Sequence, residues 1–404
     1  MWFSKPKKAI GLDIGTHSVK AVQLSRSGGR LCIDEVGYAL LDRNQVNANP
    51  IAANATAVRQ ALQSMNLPQA MLVAALPGQT AVIRYPRIPE TPRDKMAQVV
   101  EREAGQNIPY DLNEVFLDWV PLDETSEGGQ KQIKLLLVAA KHEVISSRVQ
   151  ILDAAELKCG IMGVDSLALA DAAECCGMLR PGETVALVNI GLTSASIHFV
   201  KDGISNFIRD VSWGAREMIQ AIAKDRRVDF EEAERALQAV AKEAPAAVAA
   251  PEPEVDLDTA PRPPKLPAGG SLLDPLDSEL GLGEPLSGPA PRPGLGEEPK
   301  REARELIAAP LTRLVSEIRR SFDFYEHQLY ERPVDRIILS GGIAHLPMVG
   351  ETLMEELGVN EAEVADPTSG GMILADDVSM PVLHERPAQF MVAIGLAARG
   401  MADL

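Results

Sequence analysis

One short pattern occurs twice in this chain, 176 positions apart, and it limits the possible folds more than any other feature. Asp13-Ile14-Gly15-Thr16-His17-Ser18 aligns with Asn189-Ile190-Gly191-Leu192-Thr193-Ser194. In each copy a continuous apolar run (Ala9–Ile14; Val185–Ile190) reads as a buried strand ending in a polar residue, a glycine and hydroxyls. A second strand follows (Val19–Leu24; Ala195–Val200), then a glycine turn (Gly28-Gly29; Gly203) and a third strand. Two copies of one supersecondary unit predict two similar domains facing each other across a cleft. A length of 404 residues, at about 150 per domain, leaves room for two or three.

The residues at the two turns suit a phosphate. A glycine at the apex of a strand–turn–strand lets an anion approach backbone N–H groups, because no Cβ stands in the way. In the first copy Thr16 and Ser18 offer hydroxyls beside Gly15, and Lys20 offers a charge. Asp13, at the strand end, suits the water shell of Mg2+, an ion that keeps several waters and takes few protein ligands. Asn189, Gly191 and Thr193 are the counterparts in the second copy. A third turn, Ser340-Gly341-Gly342, leads into a helix and permits close backbone approach to an adenine face. No G-x4-G-K-[ST] occurs, which excludes a P-loop on motif grounds.

Charge narrows the partners. With 40 Lys+Arg against 57 Asp+Glu the chain carries −17, which opposes general nucleic-acid binding and a polybasic membrane anchor. A small anion held by local geometry, or a basic partner, stays compatible. Four cysteines (Cys32, Cys159, Cys175, Cys176) make neither a disulfide framework nor a zinc site, and read as small buried side chains in a reducing compartment. Lys5, Lys7 and Lys8 resemble the basic start of a signal peptide, but Asp13 interrupts the apolar stretch that should follow. No apolar run approaches the roughly 18 residues that span a bilayer, so a cytoplasmic protein is expected. Residues 245–299 hold 13 of the 29 prolines, ten acids against three bases and no aromatic residue. Such a segment buries too little apolar surface to offset its ordering entropy, and is expected to be an extended or disordered insert.

Elsewhere strands and helices alternate. Helical spacing marks 54–65, a short buried strand 71–76, and a strand 81–88 lies between prolines. Thr91 is placed to cap a helix with Pro92 at its first position and Asp94 in its first turn, carrying Met96, Val99, Val100 and Ala104 on one face. Strands at 115–120 and 132–140 and a helix at 143–157 complete a small α+β unit. Leu311, Leu314, Val315, Ile318, Phe322, Tyr325 and Leu329 form the core stripe of a long helix. A strand at 334–339, a helix at 347–357 stopped by Gly358, and a last apolar helix at 387–399 follow.

These residues carry a family resemblance. Ile10-Gly11-Leu12-Asp13-Ile14-Gly15-Thr16-His17-Ser18-Val19-Lys20 resembles the first phosphate motif of the actin/Hsp70/sugar-kinase superfamily. Val188-Asn189-Ile190-Gly191 resembles the second, and the run from Ile338 through Ser340-Gly341-Gly342 to Pro347 the adenosine motif. Within that superfamily the chain resembles the PilM family of type IV pilus assembly proteins, relatives of the cell-division protein FtsA. Arg84-Tyr85-Pro86-Arg87-Ile88-Pro89, the run Glu103 to Tyr110, and Asp118 are similar to the small subdomain those families share. The resemblance spans nearly the whole chain outside 245–299.

The resemblance implies an α/β, actin-like ATPase fold in four parts with ATP and Mg2+ in the central cleft. Residues 1–81, 158–180 and 386–404 would form the first large subdomain, and 82–157 the small inserted one. Residues 181–215 and 332–385 would form the second large subdomain, and 216–331, with the insert, a smaller one. Two departures weaken the implied site. Asn189 stands where the superfamily has an aspartate, so Mg2+ binding and hydrolysis should be weaker. Phe230-Glu231-Glu232-Ala233-Glu234 resembles a ribose- or adenine-contacting helix and makes Glu234 a contact, although Leu237 replaces a common lysine. Asp165 lies in the connecting segment, where either a water-positioning catalytic carboxylate or a helix cap would sit.

The resemblance also implies a protein held at the inner membrane through partners. It would bind the N-terminal cytoplasmic tail of PilN in a groove between the first large subdomain and the small one, near Arg84, Arg87, Met96, Val99 and Val100. Other pilus-machine proteins and further copies of the chain are additional candidate partners. The leading expectation is an assembly protein that uses ATP as a clamp and hydrolyses it slowly if at all. An actin-fold kinase or fast ATPase, and a nucleotide-independent scaffold, are the alternatives.

Overall fold

A computed structural model of the 404-residue chain describes residues 7–67, 70–127, 130–240, 301–375 and 380–402. The expected insert at 245–299 lies outside the described residues. The chain opens with a meander of β1 (Lys8–Ile14), β2 (Ser18–Ser27) and β3 (Arg30–Leu40). A helix absent from the sequence reading follows, α1 (Arg43–Ala48), capped by the Asp42 side chain accepting from the amides of Asn44 and Gln45. α2 (Pro50–Leu62) begins four residues before the expected start, because Asn49 caps it and Pro50 supplies its first turn. β4 (Ala70–Leu76) closes this part.

The strand expected at 81–88 is two strands, β5 (Ala81–Arg84) and β6 (Arg87–Pro89). The break falls at Tyr85-Pro86, where proline has no N–H to give; its carbonyl still accepts from the Leu135 amide at 2.9 Å. α3 (Arg93–Asn107) lacks the expected Thr91 cap, since it starts one residue later with Pro92 at the N-cap position; the Thr91 hydroxyl donates to the Pro89 carbonyl at 2.7 Å. β7 (Val115–Glu127) and β8 (Gln130–Lys141) form a long hairpin. With β8 central, these strands and β5 and β6 make a four-stranded sheet. Met96, Val100 and Ala104 of α3 bury against Ile133, Leu135 and Leu137 of β8.

α4 (His142–Ala154), β9 (Ile161–Val164) and α5 (Asp165–Cys175) lead to a second meander: β10 (Thr184–Ile190), β11 (Ala195–Lys201) and β12 (Ile204–Val211). Then come α6 (Arg216–Arg226), α7 (Phe230–Val240) and α8 (Ala303–Asp323). The stripe of α8 is buried from Leu311 to Tyr325, but a π turn at Phe324–Gln328 widens the helix and leaves Leu329 exposed rather than in the core. β13 (Arg336–Gly341), α9 (Pro347–Leu357, ended by left-handed Gly358), β14 (Ala362–Val364), β15 (Ile373–Leu374), α10 (Pro381–Glu385) and α11 (Met391–Met401) complete the fold.

The repeat seen in sequence extends to whole sheets. The first sheet runs β15-β3-β2-β1-β4-β9 and the second β12-β11-β10-β13-β14. Apart from β15 the order is the same: an antiparallel meander whose first strand pairs in parallel with a later one. The register repeats as well. Asp13 faces Lys20 and Ile14 faces Val19 in one hairpin; Asn189 faces Ser196 and Ile190 faces Ala195 in the other. β15, which the sequence grouped with the second lobe, extends the first sheet by pairing Ile373 with Cys32 and Leu374 with Ile33.

Two helices join the sheets. Ala168, Leu169 and Ala172 of α5 and Ala393, Ile394 and Ala397 of α11 share one core with Ala9 and Val22 of the first sheet and Val185, Leu187 and Val200 of the second. The helices touch backbone to backbone: a Cβ on Gly395 would lie 1.8 Å from the Ala168 carbonyl oxygen. No disulfide joins the four cysteines among the described residues, and Cys32 and Cys176 are buried. Among the described residues no helix is long and apolar enough to cross a membrane.

Candidate functional site: two matched turns across a cleft

The two glycine turns meet. Thr16 Oγ1 of the first lies 3.1 Å from Thr193 Oγ1 of the second. Each turn is closed in the same way, the Gly15 amide donating to the Ser18 carbonyl at 3.2 Å and the Gly191 amide to the Ser194 carbonyl at 2.9 Å. The N–H groups of the two glycines are thus taken up within their own turns. The amides that follow, of Thr16 and His17 and of Leu192 and Thr193, have no such backbone partner among the described residues.

Behind the first turn stand three carboxylates. Asp13 is bonded by Lys20 Nζ at 3.1 Å, both side chains being mostly buried. Asp165, at the start of α5, accepts through Oδ1 from the Gly78 amide at 2.7 Å and from its neighbour Ser166 at 2.6 Å. It stands in the first turn of α5, which has no side-chain cap, and pins the 78–80 turn. Its carboxyl lies deep, and burial, followed by the charges of Asp210 and Asp13, pushes its pKa up to about 7. Asp210, which accepts from the Ser196 hydroxyl, is raised too, again chiefly by burial. Arg148 of α4 reaches this group, donating to the Ile14 carbonyl at 3.4 Å and feeling the charges of Asp13 and Asp165. Among the described residues no three His, Cys, Asp or Glu side chains gather closely enough to hold a metal directly. A single lysine-bonded carboxylate suits only an ion that keeps its water shell.

The other side of the turns is rich in cations. His17, Ser18, Lys20, Gly191, Glu234 and Arg386 line a small cavity of about 60 Å³. It shares His17, Glu234, Gln238 and Arg386 with a wider space of about 480 Å³, within the range of small-molecule sites, about 300–1,000 Å³. His17 Nε2 is 3.2 Å from Glu234 Oε1. Burial, then Lys20, Arg43 and Arg386, hold the His17 pKa down to about 4, so near neutrality this contact is a hydrogen bond from a neutral imidazole. Leu192, Ala215, Ile219, Leu237 and Ile343 give the small cavity an apolar wall on the second lobe.

The third glycine turn divides its labour. Gly341 has φ +96°, and a Cβ there would sit 2.2 Å from the Ile190 carbonyl oxygen. Gly342, whose amide donates to that oxygen at 2.9 Å, has open space where a Cβ would be and lines the cavity. Asn189 accepts from the Ser340 hydroxyl at 3.2 Å, tying the end of β10 to the end of β13. Sequence reasoning missed Arg43, Arg148, Arg216 and Arg386, which come from elements with no motif of their own.

The partner-face residues fall in two places. Met96 and Val100 are core residues of the small sheet's helix and Val99 is half-buried, so α3 turns these side chains mostly inward. Arg84 and Arg87 line a groove of about 800 Å³. Its opposite wall is formed by Lys201 of β11, Phe207 and Ile208 of β12 and the 324–331 turn, so this cavity is a different one from the groove between the first large subdomain and the small one that the resemblance implied. Lys134 bridges the walls by donating to the Asn206 carbonyl at 3.2 Å, and Tyr85 shares a 2.7 Å hydrogen bond with Ser205.

Two sheets of one order, joined by a helix pair and closing matched hairpins over a cleft, define an actin-like ATPase fold. The chain belongs to the family described as type IV pilus assembly protein PilM, which matches residues 11–247 and 295–401. Among solved structures, a PilM–PilN type IV pilus biogenesis complex is similar at TM-score 0.72 and 21% identity, covering 98% of this chain and 99% of that one. Weaker likeness extends to the ethanolamine utilization protein EutJ from Carboxydothermus hydrogenoformans, at TM-score 0.47 and 12% identity, covering 98% and 90%. MreB 5 of Spiroplasma citri bound to AMPPNP follows at TM-score 0.44 and 12% identity, covering 97% and 95%.

Proposed function

We propose that the chain binds ATP between its two glycine turns and uses that grip to set the angle of its lobes for type IV pilus assembly. The observation that carries this reading is the Thr16–Thr193 contact between hairpins of identical register. Lys20, the amides after Gly15 and Gly191, and the hydroxyls of Thr16, Ser18 and Thr193 would hold the phosphates. Glu234 and Gln238 would meet the ribose, and Gly342 and Ile343 the adenine. Asp13 would hold a hydrated Mg2+, which supplies charge neutralisation at the phosphates. Asp165, poised near neutrality, is the carboxylate suited to orient a water, and with Asn189 lacking a charge any hydrolysis is slow.

The output is a protein contact. The related complex contains PilN, and the PilN tail is the partner we assign to the groove edged by Arg84 and Arg87. Titration with a fluorescent ATP analogue checks the nucleotide site. Asp13→Ala and Lys20→Ala should each weaken binding about tenfold or more, by removing one charged contact. Unchanged affinity in both variants sinks the site. Arg84→Glu with Arg87→Glu should abolish capture of a PilN-tail peptide, and full retention would move the partner face elsewhere.

A further inference from the structure

Residues 78–85 run as a strap from the 78–80 turn along β5 to Tyr85, which lines the groove beside Arg84. Both ends of the strap are fastened to one place, the first turn of α5. Gly78 is fastened directly, its amide donating to Asp165 Oδ1 at 2.7 Å. Tyr85 is fastened through two intermediates. Its hydroxyl is 2.7 Å from Ser205 Oγ, Ser205 Oγ is 2.8 Å from His198 Nε2, and His198 Nδ1 is 3.0 Å from the Ser166 carbonyl. The Ser166 amide closes the ring by donating to the same Asp165 oxygen at 2.6 Å.

The chemistry of the side chains gives this chain of bonds one direction. His198 is fully buried, and burial holds its pKa down to about 4, so the ring is neutral near pH 7 and carries one N–H. A carbonyl only accepts, so that N–H is on Nδ1, and Nε2 takes the Ser205 proton. Ser205 has no second proton, so Tyr85 is the donor to it. Strand geometry supports the path. β12 carries an extra residue, Asn206, between Phe207 opposite Phe199 and Ser205 opposite Val200. That bulge keeps Ser205 on the sheet face that holds His198.

We infer that this ring of bonds couples the groove to the nucleotide cleft. A ligand that lifts the Tyr85 hydroxyl off Ser205 frees His198 and loosens the first turn of α5, which carries Asp165; a nucleotide that moves Asp165 reaches Tyr85 by the same route. The inference rests on the ATP and PilN readings above and adds that each ligand alters the affinity for the other by one common factor. The two states are the Tyr85 hydroxyl on Ser205 and off it.

The test is titration of the full chain in Mg2+ buffer with a fluorescent ATP analogue, without and with saturating PilN-tail peptide, for the wild type, Tyr85→Phe and Ser205→Ala. In the wild type the peptide should change ATP affinity by about fivefold or more, and in both variants by less than about twofold. Hydrogen exchange of the variants without ligand should accelerate at 78–80 and 164–168 by about five- to tenfold, the worth of one hydrogen bond. If thermal unfolding shows Ser205→Ala to be misfolded, Tyr85→Phe decides, since it keeps the ring and removes only the hydroxyl. A wild type whose two ligands bind independently, a coupling that survives in Tyr85→Phe, or unchanged exchange overturns the inference and leaves both sites standing. A wild type that binds no nucleotide, or peptide binding that survives Arg84→Glu with Arg87→Glu, overturns the reading beneath it and the inference with it.

Discussion

Single residues carry strain and charge that can be measured. Gly341 must be glycine twice over, for its positive φ and for the 2.2 Å that a Cβ would leave to the Ile190 carbonyl. Gly341→Ala should lower unfolding stability by about 2–4 kcal/mol in urea. Asp165 links stability to pH. Its pKa of about 7 lies above the ordinary carboxylate value, so the folded chain keeps a proton that the unfolded chain has lost. Between roughly pH 4 and pH 7 the folded state therefore binds more protons, and stability falls as pH rises through that window. Asp165→Asn keeps an acceptor for the Gly78 amide and removes the titration. Its urea midpoint, followed from pH 5 to pH 7.5, should be flatter than the wild type's; parallel profiles would refute the assignment. The motif residues around these positions were legible in the sequence because glycine, hydroxyl and carboxylate at a strand end have local causes. The arginines were not, because their position depends on which distant helices the fold brings to the cleft.

At the level of elements, β13 shows how an ion network outweighs surface pairs. Arg336 is 2% exposed and donates to Glu183 at 2.6 Å, to the Met178 carbonyl at 2.6 Å, and to Glu363. Arg336→Ala strands Glu183 and an unpaired carbonyl, and should cost about 3–5 kcal/mol by chemical denaturation. Arg180→Ala, which breaks an exposed pair with Glu361, should leave the melting temperature where it is. Elements were readable where periodicity ran uninterrupted, as in α8 and both meanders. They were misread where one local bond decided: Asn49 moved the start of α2, Asp42 created α1, and Pro86 split a strand. The helix after Thr91 starts one residue late, with Pro92 rather than Thr91 at its cap position, and a residue's exact place at a helix end is not fixed by its type.

Across the molecule, the duplicated turns announced two lobes, while the pairing of β15 with the first sheet followed from tertiary contact alone. The lobes share the α5–α11 core, so damage there should not stay in one of them. Gly395→Val forces α11 off Ala168, at a cost of about 1–3 kcal/mol from overpacking and more if the backbone must move. Hydrogen exchange should then accelerate in β4 and β10 together; acceleration in β4 alone would mean that the lobes unfold separately. The groove beside Arg84 has one wall on the small sheet and the other on β12, which belongs to the second lobe. Its jaws thus come from different halves of the molecule, tied by the Lys134–Asn206 and Tyr85–Ser205 bonds. Under the clamp proposed above, a change in the angle between the lobes would therefore have to strain those two bonds, and the slot would register it as a change of width.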